Sequence, residues 1–158
     1  MYVFAVGANT MDGDGSMKSS QQILSSLLKT AQMGQTGIRS VLDASMRPGL
    51  RKALESQLRE YDDIEREAHA IASQRGWELR ELDPAVKMMS DMMSRMKLTR
   101  GNADSTIADM MIQGNTKGMV TGLKNIHQFA GQDQQICALS QKLLDTETAN
   151  IRQMQSFL

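Results

Sequence analysis

A single cysteine, Cys137, serves a chain of 158 residues, so no internal disulfide is available and packing alone must hold the fold. That usage fits a reduced, cytoplasmic setting. A reactive thiol wants a cationic neighbour or a helix N-terminus, and Cys137 does lie early in the last predicted helix, but a small packing residue is the favoured reading. Aromatics make up only 4% of the chain and there are two prolines, Pro48 and Pro84. Strands draw on aromatic and β-branched residues, so this poverty points away from a sheet protein. Charge of one sign is also missing: 18 basic residues face 18 acidic ones. There is no basic field to hold nucleic acid and no polybasic run to meet a membrane surface. No apolar stretch is long enough to span a bilayer. Only two histidines occur, His69 and His127. Neither follows a glutamate at the Glu-x-x-His spacing of a two-metal carboxylate site. A phosphate loop, a Ser/His/Asp set and a Cys/His nucleophile are likewise missing.

What remains is aliphatic, rich in methionine and patterned for helices. The first sixteen residues, MYVFAVGANTMDGDGS, are turn-rich and read as a disordered extension, with Met17 a candidate natural start. Residues 17–158 read as one domain. Helix 1 is expected over about Gln21–Ser45, with Ser19 and Gln22 as a capping box and Leu24, Leu27, Leu28, Ala31, Ile38, Val41 and Leu42 as its apolar stripe. Pro48 opens helix 2, whose face is Leu50, Leu54, Leu58, Tyr61, Ile64 or Glu65, Ala68 and Ala72. Gly76 and Trp77 form its stop. Asp83-Pro84 starts a methionine-rich helix inside a long connection, carrying Met88, Met89, Met92, Met93 and Met96. Those thioethers suit Cu(I), but their spacing suits a core or a dimer surface better. A further helix is expected over about Ala103–Ala130, capped by Asn102 or Asp104. Asp133 then caps the last helix, whose face is Ile136, Leu139, Leu143, Glu147, Ile151, Met154 and Leu158.

Two helical hairpins joined by one long crossover are the arrangement of a ferritin-like four-helix bundle, and the fold class is all-α on this reading. Gly114, Gly118 and Gly122 lie four residues apart in the fourth predicted helix. Each costs about 1 kcal/mol against alanine in a helix interior. They are expected to admit a neighbour at close range, with Gly34 and Gly37 of helix 1 as the partners. Polar side chains on the inward faces, Gln35, Tyr61, Glu65, Glu147 and Asn150, read as a buried hydrogen-bonded network that fixes helix register. The competing reading is an atypical iron or manganese site around Glu65, His69 and Glu147. A third is a small-ligand pocket beside Tyr61.

The segments QMGQTGIRSVL, LRKALESQLREYDDIEREAHAIA, IADMMIQGNTKGM and LLDTETANIRQMQSFL resemble uncharacterised ferritin-like proteins of Firmicutes. The resemblance covers residues 17–158, and IADMMIQGNTKGM is its most specific piece. It implies a compact cytoplasmic bundle without an assigned activity. Asp109 and Thr148 depart from the family pattern, and neither departure restores a metal motif. The expected protein is therefore a non-enzymatic structural or protein-interaction module, homodimeric, without cofactor and without a nucleic-acid or membrane partner.

Overall fold

The computed structural model describes residues 17–82, 103–129 and 131–158. Among the described residues the regular structure is four helices: α1 (Ser20–Val41), α2 (Pro48–Arg75), α3 (Ala103–Gln128) and α4 (Gln134–Gln155). The expected N-terminal extension, the Asp83-Pro84 start, the methionine cluster and the Asn102 cap lie outside the described residues. Among the described residues, no helix is long and apolar enough to cross a membrane.

The helix ends follow from local chemistry. Ser19 accepts from the Gln22 amide at 3.2 Å, and the Gln22 side chain accepts from the Ser19 amide at 2.8 Å, closing the capping box. Gly76 takes the left-handed conformation, φ 64°, at the end of α2, and the Trp77 amide reaches back to the Ala72 carbonyl at 2.9 Å. Asp133 caps α4 through the Ile136 amide at 3.4 Å. Helix 1 stops sooner than its pattern suggests, at Val41. The Arg51 guanidinium takes the carbonyls of Leu42 (2.6 Å) and Ala44 (3.1 Å), so the chain can leave the helix with its acceptors satisfied. Asp104 is not an N-cap. It lies buried in the first turn of α3 and accepts from the backbone and side chain of Arg47, at 3.2 and 2.6 Å. That bond holds its carboxyl below the usual carboxylate range.

Contacts along the helices fix the topology. The start of α1 meets the end of α3, where Lys18 Nζ donates to Asn125 Oδ1 at 3.0 Å and Asn125 Nδ2 to Ser26 Oγ at 2.7 Å. The end of α2 meets the start of α4, with Arg75 on Asp133, and further along Lys142 bonds Glu67 at 3.0 Å. The starts of α2 and α3 lie together at the Arg47–Asp104 pair. So α1 is antiparallel to α2 and to α3, α4 is antiparallel to α2 and to α3, and α2 runs parallel to α3 across the diagonal. Parallel helices require a connection that travels the length of the bundle, which is the one-crossover arrangement. Its first residues run up the side of α1. Gln21 donates to the Glu78 carbonyl, and the amides of Arg80 and Leu82 donate to Ser25 and Gln32.

The core is aliphatic. Leu24, Leu27, Leu28 and Ile38 of α1 meet Leu50, Leu54 and Ile64 of α2, with Ile107 of α3 and Ile136 and Leu143 of α4. The choice left open at Ile64 or Glu65 resolves to Ile64, which is fully buried, while Glu65 stays half-buried. Gln57 takes a buried place on the α2 face, and Leu58 is only half-buried. Leu158 lies past the end of α4 and is 62% exposed, so it leaves the apolar stripe.

Candidate functional site

The centre of this aliphatic bundle contains one polar cluster drawn from three helices. Tyr61 enters from α2, Asn115 from α3, and Glu147 and Asn150 from α4. Each sits where helical periodicity demands an inward side chain. Asn115 follows Met111 by four residues and precedes Gly118 by three, on a stripe that begins at Ile107. Glu147 follows Leu143 by four, and Asn150 precedes Met154 by four.

Hydrogen bonds join the four side chains. The Tyr61 hydroxyl lies 2.8 Å from Asn115 Oδ1 and 3.0 Å from Glu147 Oε2. Asn150 Nδ2 donates to Asn115 Oδ1 at 3.2 Å and to the Tyr61 oxygen at 3.3 Å. Asn115 Nδ2 donates to the Met111 carbonyl at 2.7 Å, which orients its amide. Because α2 and α3 are diagonal, the Tyr61–Asn115 bond ties together two helices that scarcely touch otherwise.

Two glycines make room for the cluster. A Cβ on Gly34 of α1 would come within 2.5 Å of the Tyr61 ring, and one on Gly118 of α3 within 2.5 Å of Glu147 Oε1. Gly122 similarly receives Leu144, which a Cβ would approach to 3.0 Å. This corrects the expected pairing of the glycines. They do not present bare backbone to one another across α1 and α3; each takes a large side chain from its own hairpin partner. Gly37 is buried in α1. Gly114 does not belong to the close-packing set, since it is exposed and a Cβ there would meet nothing within 4 Å.

Burial dominates the electrostatics. Glu147 is 2% exposed, and loss of solvent pushes its carboxyl up to about 8, against the opposing pull of the Tyr61 hydrogen bond. Tyr61, also 2% exposed, is held well above the ordinary phenol range by burial and by the neighbouring Glu147. Burial therefore favours the protonated form of the Glu147 carboxyl. The Tyr61 hydroxyl faces two acceptors, donating toward Asn115 Oδ1 and toward Glu147 Oε2.

The other predicted polar residues lie elsewhere. Gln35 is buried but donates to Asp62 Oδ1 at 2.8 Å, beside the cluster rather than within it. Glu65 is outside the central network. It lies 3.7 Å from His69 Nε2, which is 3.3 Å from Glu81 of the crossover. Glu65 and His69 thus belong to the half-exposed flank of α2, and Glu147 belongs to the core; the three do not form one site. Among the described residues, no group of three or more His, Cys, Asp or Glu side chains is placed to hold a metal ion. Asn115 is the member that the sequence reading passed over, although its period relative to Met111 and Gly118 was sufficient to find it. Gln57 is a second such residue, donating to Gln153 Oε1 at 2.8 Å.

A carboxyl tuned close to neutral pH is a common mark of a catalytic acid. Here both Tyr61 and Glu147 are buried, and Tyr61 lies between Gly34 and its three polar partners.

Comparison with known proteins adds the fold. No family model matches the chain, and no curated protein matches it in sequence. Among solved structures it is similar to the crystal structure of a DUF305 fragment from Deinococcus radiodurans, with a TM-score of 0.70 at 13% identity. The match covers 87% of this chain and 93% of that one. The two share an all-helical fold.

Proposed function

We propose that this chain is a non-enzymatic structural or protein-interaction module, cytoplasmic and homodimeric, related to the ferritin-like bundles that its helices resemble. The observation that carries the reading is the chemistry at the bundle centre. Two-metal bundles need carboxylates and imidazoles from four helices at this place. Here one buried carboxyl group, one phenol and two amides face each other and hydrogen-bond to one another. Such a set recognises helix register: shifting one helix by a turn would strand several buried polar groups at about 1–3 kcal/mol each. The equal numbers of acidic and basic residues favour a protein partner over nucleic acid.

Elemental analysis of protein purified without chelators tests this directly. The expected outcome is no stoichiometric iron or manganese. A stoichiometric metal signal that disappears in Glu147→Ala would replace this reading with a metal-binding one.

A further inference from the structure

The outward side of α4 forms an open groove of about 510 Å³ with Glu60 of α2. Six α4 residues line it: Ala138, Gln141, Lys142, Asp145, Thr146 and Ala149. Their spacing is that of a single helix face. Turned end for end about a point between Leu143 and Leu144, this face maps onto itself. Ala138 exchanges with Ala149, Gln141 with Thr146, and Lys142 with Asp145. The spacing would map this way whatever residues occupied it, but the chemistry need not. In this chain a small side chain meets a small one, an uncharged polar one meets another, and a cation meets an anion. A contact with two-fold symmetry requires a patch that is complementary to itself under such a reversal.

We infer that two copies of this chain associate through α4, the two helices running antiparallel, with Lys142 of each copy against Asp145 of the other. The inference rests on the homodimeric reading above and gives it a location. The alanines at both ends let the helix axes approach closely. The central charges are free to change partners. Lys142 is 44% exposed, and its bond to the half-exposed Glu67 is a surface pair of the kind worth about 0–1 kcal/mol. Asp145 accepts from Gln141 at 2.9 Å on the same exposed face. Glu60 adds a second anion beside the groove for an incoming lysine. At 1.5 Å per residue the face is roughly 16 Å long. A contact confined to one short helix face belongs at the small, transient end of interface sizes, so the test is run at micromolar concentrations.

Sedimentation equilibrium across that range tests the assignment on four proteins: wild type, Lys142→Asp, Asp145→Lys and the double exchange. Wild type should dimerise reversibly. Each single reversal places like charges together twice, by symmetry, and should weaken the dimer by about tenfold or more. The double exchange should restore it, and mixing the two single variants should give a heterodimer. Circular dichroism checks that each variant is folded. A wild type that stays monomeric throughout overturns this inference and the homodimeric reading together. A dimer indifferent to both reversals overturns the α4 assignment and leaves the homodimeric reading standing. Single variants that weaken the dimer but neither pair with each other nor recover in the double exchange overturn the Lys142–Asp145 contact.

Discussion

Gly114 and Gly118 stand one turn apart on α3 and meet opposite surroundings. Gly118 lies under the Glu147 carboxyl, and Gly114 faces open space. A helix-interior glycine costs about 1 kcal/mol in either place, and only at Gly118 is that cost offset by packing inside the chain. Substitutions should therefore differ in sign. Gly118→Leu should destabilise by about 1–3 kcal/mol or more, because the added atoms must displace the whole buried cluster. Gly114→Ala should stabilise by up to about 1 kcal/mol. Urea midpoints of the two variants check this, and a destabilised Gly114→Ala would place that glycine against a second surface. The same scale holds the proton arrangement of Tyr61. One hydroxyl proton faces two acceptors, Asn115 Oδ1 and Glu147 Oε2.

The helices are held at their ends by short-range devices. Asp133 does two things at once: it caps α4 through Ile136, and it accepts from Arg75 at the end of α2, beneath whose guanidinium lies the Trp77 ring at 4.9 Å. Arg75 holds the Asp133 carboxyl below the usual carboxylate range. Asp133→Ala should remove cap and ion pair together and cost about 1–2 kcal/mol. Asp133→Asn keeps a capping oxygen and should cost less. Thermal melts near neutral pH distinguish the two, and equal losses would show that the ion pair, not the cap, holds this end. Since the native carboxyl is depressed, its contribution is present above the unfolded value of about 3.9 and is lost as pH falls through the native one.

The whole molecule inherits two opposing dependences on pH. Asp104 and Asp133, both depressed, favour the folded state more as pH rises out of the acid range. Glu147 acts in the opposite sense. Its native value of about 8 exceeds the ordinary 4.5, so between these limits the folded chain holds a proton that the unfolded chain has released. Unfolding stability then falls as pH rises through that window. The full contribution is on the order of a few kcal/mol, present below the unfolded value and lost as pH passes the native one. Glu147→Gln keeps the shape and a donor for Tyr61 without the ionisation. Denaturant midpoints measured across this window should decline in wild type and decline much less in the variant. An equally steep decline in both would remove Glu147 as the source.

The sequence by itself determined the elements. Four amphipathic helices, the Ser19 box, the Pro48 start, the Gly76 stop and the Asp133 cap are all set by interactions within a few residues, and these are written in local order. The crossover also followed from sequence, because about 25 residues between hairpins exceed what adjacent antiparallel helices require. Tyr61, Glu147 and Asn150 were visible as polar residues at inward positions. Only the tertiary structure decided which of them meet. The rotation of α2 chose Ile64 over Glu65 and turned Glu65 toward His69. The diagonal placement of α2 and α3 brought Tyr61 to Asn115. Gly34 and Gly118, expected to face each other, instead received Tyr61 and Glu147. Helical periodicity gives each side chain a direction from its own axis. Which partner lies in that direction depends on where the other three axes stand, and that comes from packing the whole bundle at once.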